Sequence, residues 1–493
     1  MKKIILILID SLMADHLEKA KESNNVPALQ YLIDNGIYNN QCVTVFPSMT
    51  APIDASLLTG VYPNQHKIPG LIWYSSKEKR LINYMNGSNT VLKLGINSTI
   101  RDLLININEL HLSKQIKTIY EELSDNKKTA ASINFIVHRG REKHQSDLPF
   151  LINLFTKFSL NKVKISGPDF LSKGTLFKPK IRFRQIKWTF NQSIFKKYGN
   201  NDSFSTDIVE AIIIGDSQPD LMMVYLPNHD HYLHKNIDNP IPSLEKVDEQ
   251  ISRVLNTYGS WKEALDKNIF IIIGDHGQTK IGKENTYNID LNLILKKYKL
   301  LKIGKKVTEK EEIVIANNER MAYVYPLKEK LQKSVQNDLL FDDRIDFVAW
   351  KHGKKVRVEN HQKKVFTFGR NGEYIDQYGM NWNMEGDYDL LDIKIKEHNK
   401  ISYYAYPDAL SRLYGALFAQ EDYVIIVNAK PSYEFFSKTF QKHLGGGSHG
   451  SLHRTDSIVP FIVAGTDKKP NPDLRIIDIK EYLLKLLEVS TTT

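Results

Sequence analysis

The chain has 493 residues, of which 41% are hydrophobic and 25% charged, and a formal net charge of +10. This is ordinary for a globular protein that buries a large core, and the length suits one core domain with insertions or two domains. A single cysteine, Cys42, excludes an intrachain disulfide and points to a reducing, cytoplasmic location, while the positive charge, with no nucleic-acid-binding signature beside it, reads as a lysine-rich surface or an attraction for small anions.

Lys3 to Ile9 reads as a buried parallel strand with Asp10 at its C-terminal edge. The apolar run Ile4 to Ile9 is too short to span a bilayer and has no small-residue cleavage site after it. Pro27 opens a helix that ends before Gly36, and Cys42 to Phe46 forms a second strand. Next comes VFPSMTAPIDASLLTG, Val45 to Gly60, in which Thr50 is placed at the N-terminus of a short helix. Backbone N–H groups there suit an oxyanion, although a threonine hydroxyl needs a base or a metal to become a nucleophile. The plainer reading of Thr50 is a helix cap.

Leu71 to Leu112 has no clear period. Ser113 is a plausible cap for a helix through Ile119, Tyr120 and Leu123, and Thr129 to Val137 reads as a further strand. Leu221 to Leu226 and Ile269 to Ile273 are core strands, with a helix capped by Ser243 between them. Ala322 to Tyr325, Val365 to Phe368 and Tyr423 to Val427 are short apolar runs, with a helix near Asp408 to Phe418. Ile458 to Ala464 is a last strand and Ile477 to Leu487 a last helix. The alternation of strand and helix argues an α/β fold, a doubly wound and mostly parallel sheet sandwiched by helices. Residues 1–139, 206–327 and 401–493 are assigned to the core, and 140–205 and 328–400 to two insertions forming a cap.

Acidic residues and histidines recur just after the apolar strands. Asp10 follows the first strand, Asp230 and His234 follow LMMVYLP, and Asp275 and His276 follow IFIIIG. His449 stands in the glycine-rich LGGGSHG after the Tyr423 to Val427 run. Strand ends of one polarity share a sheet edge, so these residues and Thr50 are expected to converge there. Carboxylate with imidazole is a ligand set for zinc, with manganese as the alternative, and the set suffices for two divalent ions. Two such ions clamp the attacking and leaving oxygens of a phosphoryl group.

LILID ending at Asp10, FPSMTAP around Thr50, SLLTGVYPNQH, DHYLH, GDHG and GGSHG together resemble the alkaline phosphatase superfamily, within it the nucleotide pyrophosphatase/phosphodiesterase branch. The resemblance implies two zinc ions, one held by Asp230, His234 and His449, the other by Asp10, Thr50, Asp275 and His276. It implies attack by Thr50 on phosphorus and hydrolysis of the phosphothreonine by water at the first of these sites. The branch carries an asparagine, a donor to a non-bridging phosphate oxygen, where this chain has Leu71; a backbone N–H or Asn64 is a candidate substitute. The expected activity is therefore a phosphodiesterase or nucleotide pyrophosphatase acting on a small anionic phosphoester. A phosphomonoesterase or phosphoryl-type transferase on the same site, or a non-catalytic metal-binding relic, is the alternative. His66 is expected to support structure, His229 and His231, which flank Asp230, to stand behind the ligands or to be exposed, and His453 and Arg454 either to pack their loop or to touch substrate.

Overall fold

The computed structural model describes residues 2–85, 87–178, 194–437 and 442–489. Seven strands form the central sheet: β1 (Lys3–Ile9), β2 (Gly36–Val43), β3 (Ala130–Ile133), β4 (Phe170–Ser172), β5 (Leu221–Leu226), β6 (Asn268–Gly274) and β7 (Ile458–Ala464). Their order is β2-β7-β6-β1-β5-β3-β4. β1 runs parallel to both β5 and β6, whereas β7 is antiparallel to its neighbours β2 and β6.

The continuous apolar runs of β1, β5 and β6 are explained by burial on both faces. Ile4, Leu6 and Leu8 enter one core cluster and Ile5, Ile7 and Ile9 the other, the period of two that a strand imposes. Helix α1 (Thr50–Thr59) packs on the first face with the C-terminal helix Ile479–Leu486. The helices Asp202–Ile214 and Ile241–Asn256 cover the second. Helix α2 (Asn228–Asn236) starts two residues after β5 ends. No helix among the described residues is long and apolar enough to cross a membrane.

Several expected elements differ. The second strand is Gly36–Val43, with Val45 and Phe46 already in the loop that leads to α1. Thr118, not Ser113, caps the helix Ile119–Asp125, through a capping box with Glu121. The expected cap Ser243 lies inside a helix that begins at Ile241 behind Pro240. Phe170–Ser172, read as insertion, completes the central sheet beside β3. The basic, aromatic run Lys162 to Lys187 lies partly outside the described residues.

The largest difference is a second sheet of nine strands between Ile313 and Ala429. It takes in the runs around Ala322 to Tyr325 and Tyr423 to Val427 as Met321–Pro326 and Ile425–Ala429, which pair with each other and not with β1 or β6. Ile425–Ala429 also pairs with Ile345–His352, from the stretch that reads as polar and irregular. Val365–Asp376 alternates buried and half-buried side chains over residues 365–368, and its pairing is interrupted by a bulge between Arg370 and Tyr374.

Candidate metal and phosphoester site

The loops after β1, β5 and β6 meet at the C-terminal edge of the sheet, where sites in open α/β sheets are built. Asp10, Asp275 and His276 are buried there, with ligand atoms close enough to share one ion. His276 Nε2 lies 3.4 Å from Asp10 Oδ1 and 3.5 Å from Asp275 Oδ2. None of these three atoms has a hydrogen-bond partner. Orphaned buried polar atoms that face one another are costly unless a cation joins them. Burial and the nearby carboxylates of Asp275 and Asp230 also push the Asp10 carboxyl well above its usual range. The donor set therefore fits a divalent ion.

A second group adjoins it. Asp230 Oδ2 is 3.2 Å from His234 Nε2, and Asp230 Oδ1 is 3.7 Å from His449 Nε2. Asp230 and His234 stand four apart on α2, which puts both on one face. His276 and His449 stack with ring centroids 3.7 Å apart, which brings the two groups together.

All three histidines have the same arrangement. Each pairs Nδ1 with a backbone carbonyl: His234 with Gly447 at 2.8 Å, His449 with Ser48 at 2.7 Å and His276 with Gly277 at 3.1 Å. A neutral ring that donates from Nδ1 leaves the Nε2 lone pair for a metal, and the carbonyl fixes the ring orientation. Burial opposes charge on His234, yet Asp230 and Glu319 overcome it and hold its pKa up at about 10. In the metal-free protein a proton thus occupies the place that suits a cation.

Thr50 is the first residue of α1, with Met49 in the cap position, so it is not the helix cap itself. It lines a cavity of about 260 Å³ with Asp230, His234 and His449. Leu71 is on the same wall, and its backbone N–H is already donated to Asn318 Oδ1 at 2.9 Å. Asn64, in the short helix Pro63–His66, is not among the lining residues. Of the expected substitutes, Asn64 and the Leu71 N–H are thus not in place, which leaves other backbone N–H groups.

His66 is buried, meets Ser56 Oγ at 2.9 Å and accepts from the Ile68 N–H. His229 is buried outside the cavity, whereas His231 lines it. His453 caps the short helix Arg454–Ser457, and Arg454 rests over Tyr404, so both pack their loop.

His449 arrives by a route other than the expected one. The strand expected to lead to its loop, Ile425–Ala429, belongs to the second sheet, Glu434–Phe436 intervenes in a separate pair with Asn288–Asp290, and the Ser48 contact fixes the ring. The glycines of LGGGSHG allow close approach: a Cβ on Gly446 would sit 2.0 Å from the His234 carbonyl oxygen.

Five residues absent from the sequence reading complete the surroundings. Ser11 Oγ and Gln278 Nε2 both donate to Asp230 Oδ1, at 2.8 and 2.6 Å. Glu319, Glu434 and His443 line the cavity from the second-sheet side. His443 pairs with Glu434 at 2.8 Å and stacks on His234 at 4.3 Å. The neighbourhood of Ser11 and Gln278 to Asp10 and GDHG was a usable signal; nothing local marked the other three.

The profile of the type I phosphodiesterase/nucleotide pyrophosphatase family matches residues 4–374. A curated relative, the bis(5'-adenosyl)-triphosphatase ENPP4 of Bos taurus, is 22% identical over 293 residues, 58% of this chain. The match spans 50% of that relative's length. Among solved structures, human ectonucleotide pyrophosphatase/phosphodiesterase 5 superposes with a TM-score of 0.58 at 14% identity, covering 100% of this chain and 96% of its own. The murine counterpart gives the same values, both alone and as an inactive threonine-to-alanine variant in complex with AMP. At that identity the structural likeness carries the fold, which is that of the expected α/β sandwich.

Proposed function

Because the chain belongs to the type I phosphodiesterase/nucleotide pyrophosphatase family of metal-dependent phosphoester hydrolases, we propose that it cleaves a phosphodiester or nucleotide pyrophosphate through a phosphothreonine at Thr50. The observation that carries this reading is a cavity in which Thr50 meets Asp230, His234 and His449, with the buried Asp10, Asp275 and His276 group joined to it through the His276–His449 stack. Asp230, His234 and His449 would hold one divalent ion, and Asp10, Thr50, Asp275 and His276 the other. Zinc suits this donor set, with manganese as the alternative. When bound, the pair supplies charge neutralisation at the attacking and leaving oxygens and acidifies a coordinated hydroxyl.

The chain's own groups do the rest. Thr50 Oγ1 attacks phosphorus from the first turn of α1, where backbone N–H groups left over by the helix suit phosphoryl oxygens. The P–O bond to the leaving group breaks opposite to it, and water then cleaves the phosphothreonine in line. Ser11 and Gln278 keep Asp230 oriented through both steps. The bovine relative is a bis(5'-adenosyl)-triphosphatase and the murine variant was captured with AMP, which favours nucleotides as the first substrates to test. A cytoplasmic location belongs to the same reading, supported by a lone, buried Cys42.

Leu71 favours one second reading, a monoesterase or transferase, since it offers no side-chain donor to a diester. The test is metal content together with hydrolysis of bis-p-nitrophenyl phosphate and p-nitrophenyl phosphate, with and without chelator. We expect two equivalents of metal and chelator-sensitive cleavage of the diester. Thr50→Ala should lower turnover more than about 10³-fold while keeping its metal. Full activity in that variant overturns the covalent route, and cleavage of the monoester alone moves the assignment to the second reading.

A further inference from the structure

Glu319 lines the cavity but has no part in the two ligand sets proposed above. It occupies the first of two turn positions between the strands Ile313–Asn318 and Met321–Pro326, which pair Asn318 with Met321. Its φ is +59°, and that of Arg320 is not positive. This is the pattern of a type II′ hairpin turn, which favours glycine at that first position. A glutamate held there against its backbone preference points to a use for its side chain.

The turn is fixed on all sides. The Arg320 N–H donates to the His449 carbonyl at 2.8 Å, and the Phe435 N–H to the Glu319 carbonyl at 2.8 Å. The Arg320 guanidinium is buried against Asp456 at 2.7 Å. One turn residue is thus an anchor, and its neighbour faces the cavity. The Glu319 carboxylate lies 3.5 Å from His449 Nε2 through Oε2 and 4.0 Å from His234 Nε2 through Oε1. Ser448 Oγ and the His449 N–H also donate to Oε2, at 3.0 and 3.2 Å. Ligand atoms about 2.0–2.2 Å from a tetrahedral ion are spaced about 3.3 Å apart. Asp230 lies 3.2 Å from His234 and 3.7 Å from His449, and Glu319, like Asp230, turns one oxygen to each of these imidazoles; His234, Glu319 and His449 offer ligand atoms within 4.8 Å of one another.

We infer that Glu319 is a fourth protein ligand to the ion at Asp230, His234 and His449, contributed by the second sheet. The inference rests on the metal reading of that triad. Two carboxylates with two imidazoles make a harder, more anionic site than one carboxylate with two, so Glu319 raises affinity for manganese relative to zinc.

Apo protein titrated calorimetrically with Zn²⁺ and with Mn²⁺ tests this without any turnover assay. In Glu319→Gln, one of the two sites should weaken 10–100-fold, more for Mn²⁺ than for Zn²⁺, while the other keeps its wild-type affinity. Glu319→Gly relieves the backbone, so it should show the same loss with an apo melting temperature at or above wild type. Asp230→Asn is the reference for losing that site. If both Glu319 variants bind like wild type while Asp230→Asn loses a site, Glu319 is no ligand and the inference is overturned. If Asp230→Asn also binds two ions like wild type, the metal reading of the triad has failed, and the inference falls with it.

Discussion

His66 shows how one side chain is decided by its surroundings. Its ring is fully buried between Ser56 and the Ile68 N–H, and burial lowers its pKa to about 3. In the unfolded chain a histidine titrates near 6.5. Between these values the unfolded state binds the extra proton, so the stability due to the neutral ring is complete above about 6.5 and declines as the pH falls toward 3. Melting curves of wild type and His66→Gln should therefore converge as the pH is lowered from 7 to 4.5. The gap should shrink by up to about 1.4 kcal/mol per pH unit. A gap constant over that range would mean that the ring is already charged in the folded protein. Thr50 and the strand-edge aspartates are a different case: they were legible because each sits directly beside an apolar strand or a turn motif. Glu319 was not, since its place depends on a hairpin of the second sheet whose turn residues, Glu319 and Arg320, have no glycine to mark them.

At the scale of elements, the site depends on how closely the His449 loop packs against α2. Gly446 lies so near the His234 carbonyl that no side chain fits between loop and helix. Gly446→Ala must therefore displace the end of α2 that carries His234, at a cost of about 1–3 kcal/mol. Metal titration and thermal melting of this variant should show weaker binding at the His234 site together with a lower melting temperature. Wild-type binding would show that the loop gives way and the helix does not. The central strands were readable because burial on both faces makes them uniformly apolar. Much of the second sheet was not, because strands such as Asn381–Gly386 expose every second side chain and pass for polar, irregular chain.

Across the whole molecule, the two sheets are joined by a buried cation. Arg412, in the helix Ala409–Leu417 of the second sheet, donates to the carbonyls of Pro407, Leu452 and Val45 and to Ser457 Oγ. Val45 follows β2, and Leu452 and Ser457 precede β7, so one guanidinium spans both layers. Burial lowers its pKa to about 10, and it remains charged at neutral pH. Arg412→Met fills similar space but leaves these acceptors unpaired, with an expected loss of about 3 kcal/mol or more. Denaturant unfolding of the two proteins measures this, and an unchanged midpoint would show that the second sheet is not held through this residue. The division into core and insertions follows chain order, whereas the observed sheets interleave: the C-terminal β7 belongs with β2, and Ile425–Ala429 with Met321–Pro326. Long-range pairing of this kind leaves no trace in local sequence.

The position of β7 has a consequence for synthesis. It lies between β2 and β6, and no other strand among the described residues joins these two. Until residue 464 has left the ribosome, both strands present a bare hydrogen-bonding edge, one near the start of the chain and one past its middle. A nascent chain shorter than that has every apolar segment of its first half and no means of closing the sheet. Production of this protein should therefore be limited less by the stability of the finished fold than by whatever shields those edges during translation.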